Sequence, residues 1–293
     1  MKKLLLAASI LLSGSIIAQE DTAVKKVQYP AGYDAKIDVV YTKVKDWEGR
    51  ADIYYNPKMG KPTPVVFNIH GGGWNHGTKE SQTGFSTFFK MGLAVVNVEY
   101  RLTPQATAPA AIEDVRCAML YVVQHAKELN IDPNNIIMMG GSAGGHLALM
   151  AGLLQNDHKF DNNCKGVDGF KIVAIVDKYG IADVWDWGYG KDITSKSAGN
   201  WLGDKAKDET FARSVSPIYY VTKNSPPTII IHGDADPTVP YQQSVKLHQK
   251  FVDAGVKTEF ITVPGGKHGG FPKEENSKVN KAIADFLASL NLR

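Results

Sequence analysis

Cysteine is scarce in this chain of 293 residues: there are two, Cys117 and Cys164. No Cys/His cluster, no H-E-x-x-H run and no phosphate-binding G-x-x-x-x-G-K occurs, so metal and nucleotide chemistry have no motif to rest on and no cofactor is expected. Charge of one sign is also lacking. The formal net charge is only +3, and Lys2 and Lys3 supply part of it. A nucleic-acid partner would need a concentrated basic surface, so none is expected. Long apolar runs are missing as well. The stretch from Leu4 to Leu12 is too short to cross a bilayer as a helix, so membrane insertion is not expected.

That stretch instead follows Met1-Lys2-Lys3 and precedes a small residue, Ala18, before Gln19. This is the layout of a secretory signal peptide over residues 1–18, with no cysteine nearby to accept a lipid. The expected destination is the periplasm or the medium. In such an oxidising compartment Cys117 and Cys164 could pair, although their spacing leaves two free thiols equally open.

With 43% hydrophobic and 22% charged residues, the chain can bury a large core. No linker, repeat or charge block divides it, so residues 19–293 read as one domain. Eight β-rich runs stand out: Ile37–Val44, Ala51–Tyr55, Val65–His70, Leu93–Val98, Ile136–Met139, Ile172–Asp177, Thr228–His232 and Thr258–Val263. Helical spacing marks Ala110–Ala126, Ala143–Leu154, Tyr241–Ala254 and Glu274–Leu290. From Val65 onward the strands are continuously apolar, as in a parallel sheet covered on both faces. The first two alternate better and suit an exposed edge. Between the sixth and seventh strands, residues 181–225 read as a small cap insertion rich in aromatics. It either packs a core of its own or walls a substrate site, and Trp185, Trp187 and Trp201 within it, together with Trp74, are the aromatic candidates for touching substrate.

Gly140-Gly141-Ser142-Ala143-Gly144 fits G-x-S-x-G between a strand and a helix. A nucleophilic serine needs such a tight turn to project its hydroxyl, and the following helix N-terminus favours developing negative charge. A plain glycine turn with a capping serine would look the same. His70-Gly71-Gly72-Gly73-Trp74 follows another strand and permits backbone N–H groups to face a ligand. The amides of Gly72, Gly73 and Ala143 are thus the candidate oxyanion donors. An acid and a base should follow in the order Ser…Asp…His. Asp234 and Asp236 sit on one loop and His268 on a later glycine-flanked one, and spacing alone does not separate the two aspartates. His70 and His146 read as residues that hold nearby backbone.

Taken together, His70–Trp74, Glu99-Tyr100-Arg101-Leu102-Thr103-Pro104, Pro109 to Asp114, Gly140–His146, Ser216-Pro217-Ile218, His232–Pro240 and Lys267-His268-Gly269 resemble one known group. It is the hormone-sensitive-lipase-like branch of α/β-hydrolases, and within it the bifunctional feruloyl and acetyl xylan esterase-like (BD-FAE-like) proteins. The resemblance implies the α/β-hydrolase fold, an α/β architecture with a mostly parallel eight-stranded sheet and helices on both faces. It places the acid at the second aspartate of His-Gly-x-x-Asp-x-x-Val-Pro, which is Asp236 here, beside Ser142 as nucleophile and His268 as base. The implied activity is a secreted serine ester hydrolase acting on a small ester or an acylated polysaccharide, such as acetyl or feruloyl groups on xylan. A general short-chain carboxylesterase and a non-catalytic ligand-binding protein on the same fold are the alternatives.

Overall fold

The computed structural model describes residues 26–192 and 194–292, so the leader expected over residues 1–18 lies outside it. Its strands are β1 (Asp34–Val44), β2 (Trp47–Tyr55), β3 (Thr63–Ile69), β4 (Ala94–Val98), β5 (Ile131–Gly141), β6 (Ile172–Lys178), β7 (Thr228–Gly233) and β8 (Thr258–Val263). The helices are α1 (Ser86–Lys90), α2 (Ala110–Gln124), α3 (Ala143–Leu154), α4 (Val184–Tyr189), α5 (Lys196–Leu202), α6 (Glu209–Ser214), α7 (Gln242–Asp253) and α8 (Lys273–Ala288). The strands form one sheet in the order β1-β2-β4-β3-β5-β6-β7-β8, antiparallel at β1/β2 and β2/β4 and parallel from β4 onward.

Successive residues of a strand face opposite sides, which explains the continuous apolar runs. Phe67, Val96 and Met138 join the core under α2 and α3, while Val66, Val95 and Ile137 join the one under α1 and α8. Leu247 and Phe251 of α7 pack on Leu149, Ile175 and Ile230 in a third cluster. The edge expectation holds for β1 alone. β2 lies inside the sheet between β1 and β4, and its last five residues are buried. Short helix α1 and the 3-10 turn Lys79–Ser81 escaped the periodicity reading, since one helical turn has no repeat to detect.

The cap contains α4, α5 and α6. It does not form a separate core: Val184, Trp187, Ala198, Trp201, Leu202, Ala212 and Val215 are continuous with the cluster under α2 and α3. The two cysteines are disulfide-bonded, tying fully buried Cys117 of α2 to the loop after α3 with their Cα atoms 5.4 Å apart. Because the bond closes a separation of 47 residues, the Cys117→Ala/Cys164→Ala variant should lose about 4 kcal/mol of stability, read as a lower denaturation midpoint.

Candidate active site

The turn from β5 into α3 brings backbones closer than a side chain would permit. A Cβ on Gly140 would stand 2.1 Å from the Gly144 carbonyl oxygen, and one on Gly144 the same distance from that of Ile69. Between these contacts Ser142 takes φ 57° and ψ −126°, a conformation that L-residues seldom adopt and that the neighbouring contacts must sustain. Its amide donates to the Lys178 carbonyl at 2.9 Å, anchoring the turn on β6. Ala143 is the first residue of α3, so its N–H has no partner within the helix.

The glycine loop leaves β3 beside this turn. Gly72 has φ 114°, and a Cβ there would overlap the His76 carbonyl oxygen at 2.0 Å. That carbonyl approach accompanies a tight turn in which the Asn75 and His76 amides both donate to Gly72 O, at 3.0 and 3.1 Å. Among the described residues neither the Gly72 nor the Gly73 amide donates to a backbone carbonyl, and both glycines line the same cavity as Ser142 and His268. His70 holds the loop as expected: its Nδ1 meets Gly71 O at 2.7 Å and its ring stacks on Tyr100, whose hydroxyl donates to His70 O.

Residues far apart in the chain then meet in one hydrogen-bonded series. His268 Nε2 lies 2.8 Å from Ser142 Oγ, and its Nδ1 lies 2.7 Å from Asp236 Oδ2. Asp236 accepts from Thr238 N and Val239 N through its other oxygen, at 2.7 and 3.0 Å. Asp234 takes a different part, receiving the Gly265 amide at 2.6 Å, which is the turn-stabilising role open to either aspartate from sequence. A further residue went unnoticed in the sequence. Buried His232 sits between Ser244 Oγ at 2.7 Å and Asp236 Oδ2 at 3.1 Å, so its Nε2–H is a second imidazole donor to the same carboxylate. The signal was its place at the head of the His-Gly-x-x-Asp run. Burial alone would raise the Asp236 pKa, but the hydrogen bonds from His232, His268 and Thr238 hold it well below the usual carboxylate range.

The aromatic candidates behave differently from the expectation. Trp74 and Trp201 are fully buried and stacked on each other, with ring centroids 4.3 Å apart, and both meet His146 edge-on at 5.0 Å. Trp185 packs against Tyr189, away from the cavity. Only Trp187 of the four lines the cavity, and its Nε1 donates to Thr238 O at 2.9 Å. The physical reason is area: a tryptophan loses most contact with water by closing the cap onto α3, and these side chains join the glycine loop, α3 and the cap. His146 completes this cluster by meeting Val215 O at 2.7 Å, and burial lowers its pKa to about 4, which keeps it neutral.

One buried acid works against the fold. Asp177, next to the site on β6, accepts the Gly180 amide through Oδ1, while its Oδ2 has no partner among the described residues. Burial raises its pKa to about 7. A group whose pKa is higher in the folded state favours folding at low pH, and that advantage disappears as pH rises through about 4 to 7. Asp177→Asn is therefore expected to raise Tm by roughly 5 °C or more at pH 8 and far less at pH 5; thermal scans of both proteins at the two pH values check it.

A serine-bearing strand-to-helix turn at the centre of a mostly parallel sheet, with an aspartate loop and a histidine loop after later strands, defines the α/β-hydrolase fold. LipQ and LipC, two esterases of Mycobacterium tuberculosis, are each 28% identical to this chain, over 249 and 223 residues that cover 82% and 71% of it. The chain spans 59% and 53% of their lengths. A solved structure described as a truncated form of carbohydrate esterase from gut microbiota aligns with TM-score 0.79 at 29% identity, covering 92% of this chain and 100% of that one. The chain belongs to the BD-FAE family, which it matches over residues 51–251.

Proposed function

We propose that this protein is a serine carboxylic ester hydrolase in which Ser142 is the nucleophile, His268 the general base and Asp236 the group that orients it. The observation that carries the reading is the unbroken series Ser142 Oγ, His268 Nε2, His268 Nδ1, Asp236 Oδ2, opening on a cavity of about 520 Å³. His268 takes the serine proton as Oγ attacks the ester carbonyl, and the oxyanion is received by the amides of Gly72, Gly73 and Ala143. The protonated imidazole then gives its proton to the departing alcohol. Water, activated by the same histidine, releases the acid in the second step. Asp236, ionised and desolvated, keeps the proton of neutral His268 on Nδ1 and stabilises the imidazolium.

The substrate we infer is an acylated plant-type polysaccharide bearing acetyl or feruloyl groups. Likeness to a carbohydrate esterase at 29% identity supports this, as does family membership. Export to periplasm or medium is part of the same reading, supported by the leader-like residues 1–18 and the disulfide between Cys117 and Cys164. The test is incubation with acetylated xylan and feruloylated arabinoxylan beside aryl acetates, measuring released acetate and ferulate. Release from either polymer supports the reading; hydrolysis of aryl acetates with none from the polymers replaces it with a general short-chain carboxylesterase.

A further inference from the structure

The cavity that holds Ser142 also holds Lys178, the last residue of β6. Val176, two positions earlier, belongs to the core under α1 and α8, so strand alternation puts Lys178 on that face and Asp177 on the other. There the lysine shares the cavity wall with Asn68, which lies two residues beyond Val66 on the same face of β3.

The lysine has no ion-pair or hydrogen-bond partner for its ammonium among the described residues, and its interaction with Asp177 is one of charge across the strand. Among the described residues, no aspartate or glutamate lines the cavity. The contrast with Lys79 is direct: that buried lysine is paired with Asp38, Asp52 and Glu80 at 2.9, 2.9 and 2.6 Å. An ammonium taken partly out of water needs an opposite charge to offset lost hydration, and the fold gives one lysine three carboxylates at ion-pair distance and the other only Asp177 on the opposite face of its strand, with no ion pair among the described residues. Burial draws the Lys178 pKa below the ordinary lysine range and the nearby Asp177 draws it partly back.

We propose that Lys178 is a specificity-determining residue of this site, binding a carboxylate carried by the ester substrate. This rests on Ser142 being the esterase nucleophile and deepens that reading: the preferred esters are acidic ones. The carboxylate belongs either to the acyl part, as in a dicarboxylic half-ester, or to the alcohol part, as in an acylated uronic acid.

Two substrate pairs separate these sources. One is 4-nitrophenyl hemisuccinate against 4-nitrophenyl butyrate; the other is acetylated glucuronic acid against acetylated glucose. For each, the ratio of kcat/KM on the acidic ester to that on the neutral one is measured in the native protein, Lys178→Met and Lys178→Arg. The native ratio for one pair should exceed that of Lys178→Met by roughly ten- to a hundred-fold, the range of a hydrogen bond between charged groups, and that pair names the side of the ester. Lys178→Arg should retain most of it. In the native protein the ratio should also fall as salt is raised, a readout that does not depend on any variant folding. Equal ratios in native and Lys178→Met proteins for both pairs, or ratios insensitive to salt, overturn the proposal. Hydrolysis of the neutral esters that survives Ser142→Ala overturns the esterase reading instead. Calorimetric titration with succinate and glucuronate tests the contact without turnover: weaker binding by Lys178→Met supports it, and equal binding refutes it.

Discussion

Ser142→Ala should lower kcat for an aryl acetate by roughly 10⁶-fold while leaving the circular dichroism spectrum and KM close to native. The size follows from how the site works as a unit. Without Oγ, His268 has no proton to take and the carbonyl has no attacking atom, so only the oxyanion amides and substrate binding remain. Those alone still accelerate hydrolysis over water, so the expected residue of activity is small but measurable. A loss below about 10³-fold would move the nucleophile elsewhere.

The second large effect is Asp236→Asn, for which a kcat loss of roughly 10⁴-fold is expected. Four donors converge on this carboxylate: the amides of Thr238 and Val239 on Oδ1, and His232 Nε2 and His268 Nδ1 on Oδ2. An amide can offer only one oxygen. If it serves the two backbone N–H groups, its NH₂ faces both imidazoles, and His268 must accept at Nδ1 and carry its proton on Nε2. That proton then points at Ser142 Oγ, where a base is required. Measurement of kcat for Asp236→Asn beside native protein checks this, and a loss under tenfold would show that the tautomer is set by something else. The same geometry explains His232. It supplies a donor that keeps the buried carboxylate ionised, so removal of His232 should weaken the site by a smaller factor than removal of Asp236.

Much of this architecture is legible along the chain. Helix α3 occupies Ala143–Leu154 and strand β8 occupies Thr258–Val263, the bounds that periodicity marks. β5 begins earlier than its apolar run, at Ile131, because Ile131 pairs with Thr63 ahead of a register shift that leaves polar Asp132–Asn135 outside the ladder, where no apolar pattern advertises a strand. The turn at Ser142 is legible for a local reason: its glycines are demanded by contacts within a few residues and with the adjacent strand, so the motif carries its own geometry.

Other features depend on which loops meet. Ser142 and His268 are 126 residues apart, and the two cysteines 47 apart; their distance in space follows only from the sheet order. Strand and helix alternation, the serine turn, the glycine loop and the order serine, aspartate, histidine are all legible along the chain, because each is written in short-range periodicity or turn chemistry. Only tertiary structure shows Asp236, which spacing alone left level with Asp234 and family resemblance favoured, set against the histidine, His232 backing it, Trp74 and Trp201 in the core, and Lys178 in the cavity with no ion-pair partner among the described residues. Identical residue types serve burial, turn stabilisation or chemistry according to the surfaces brought against them, and those surfaces come from distant parts of the chain.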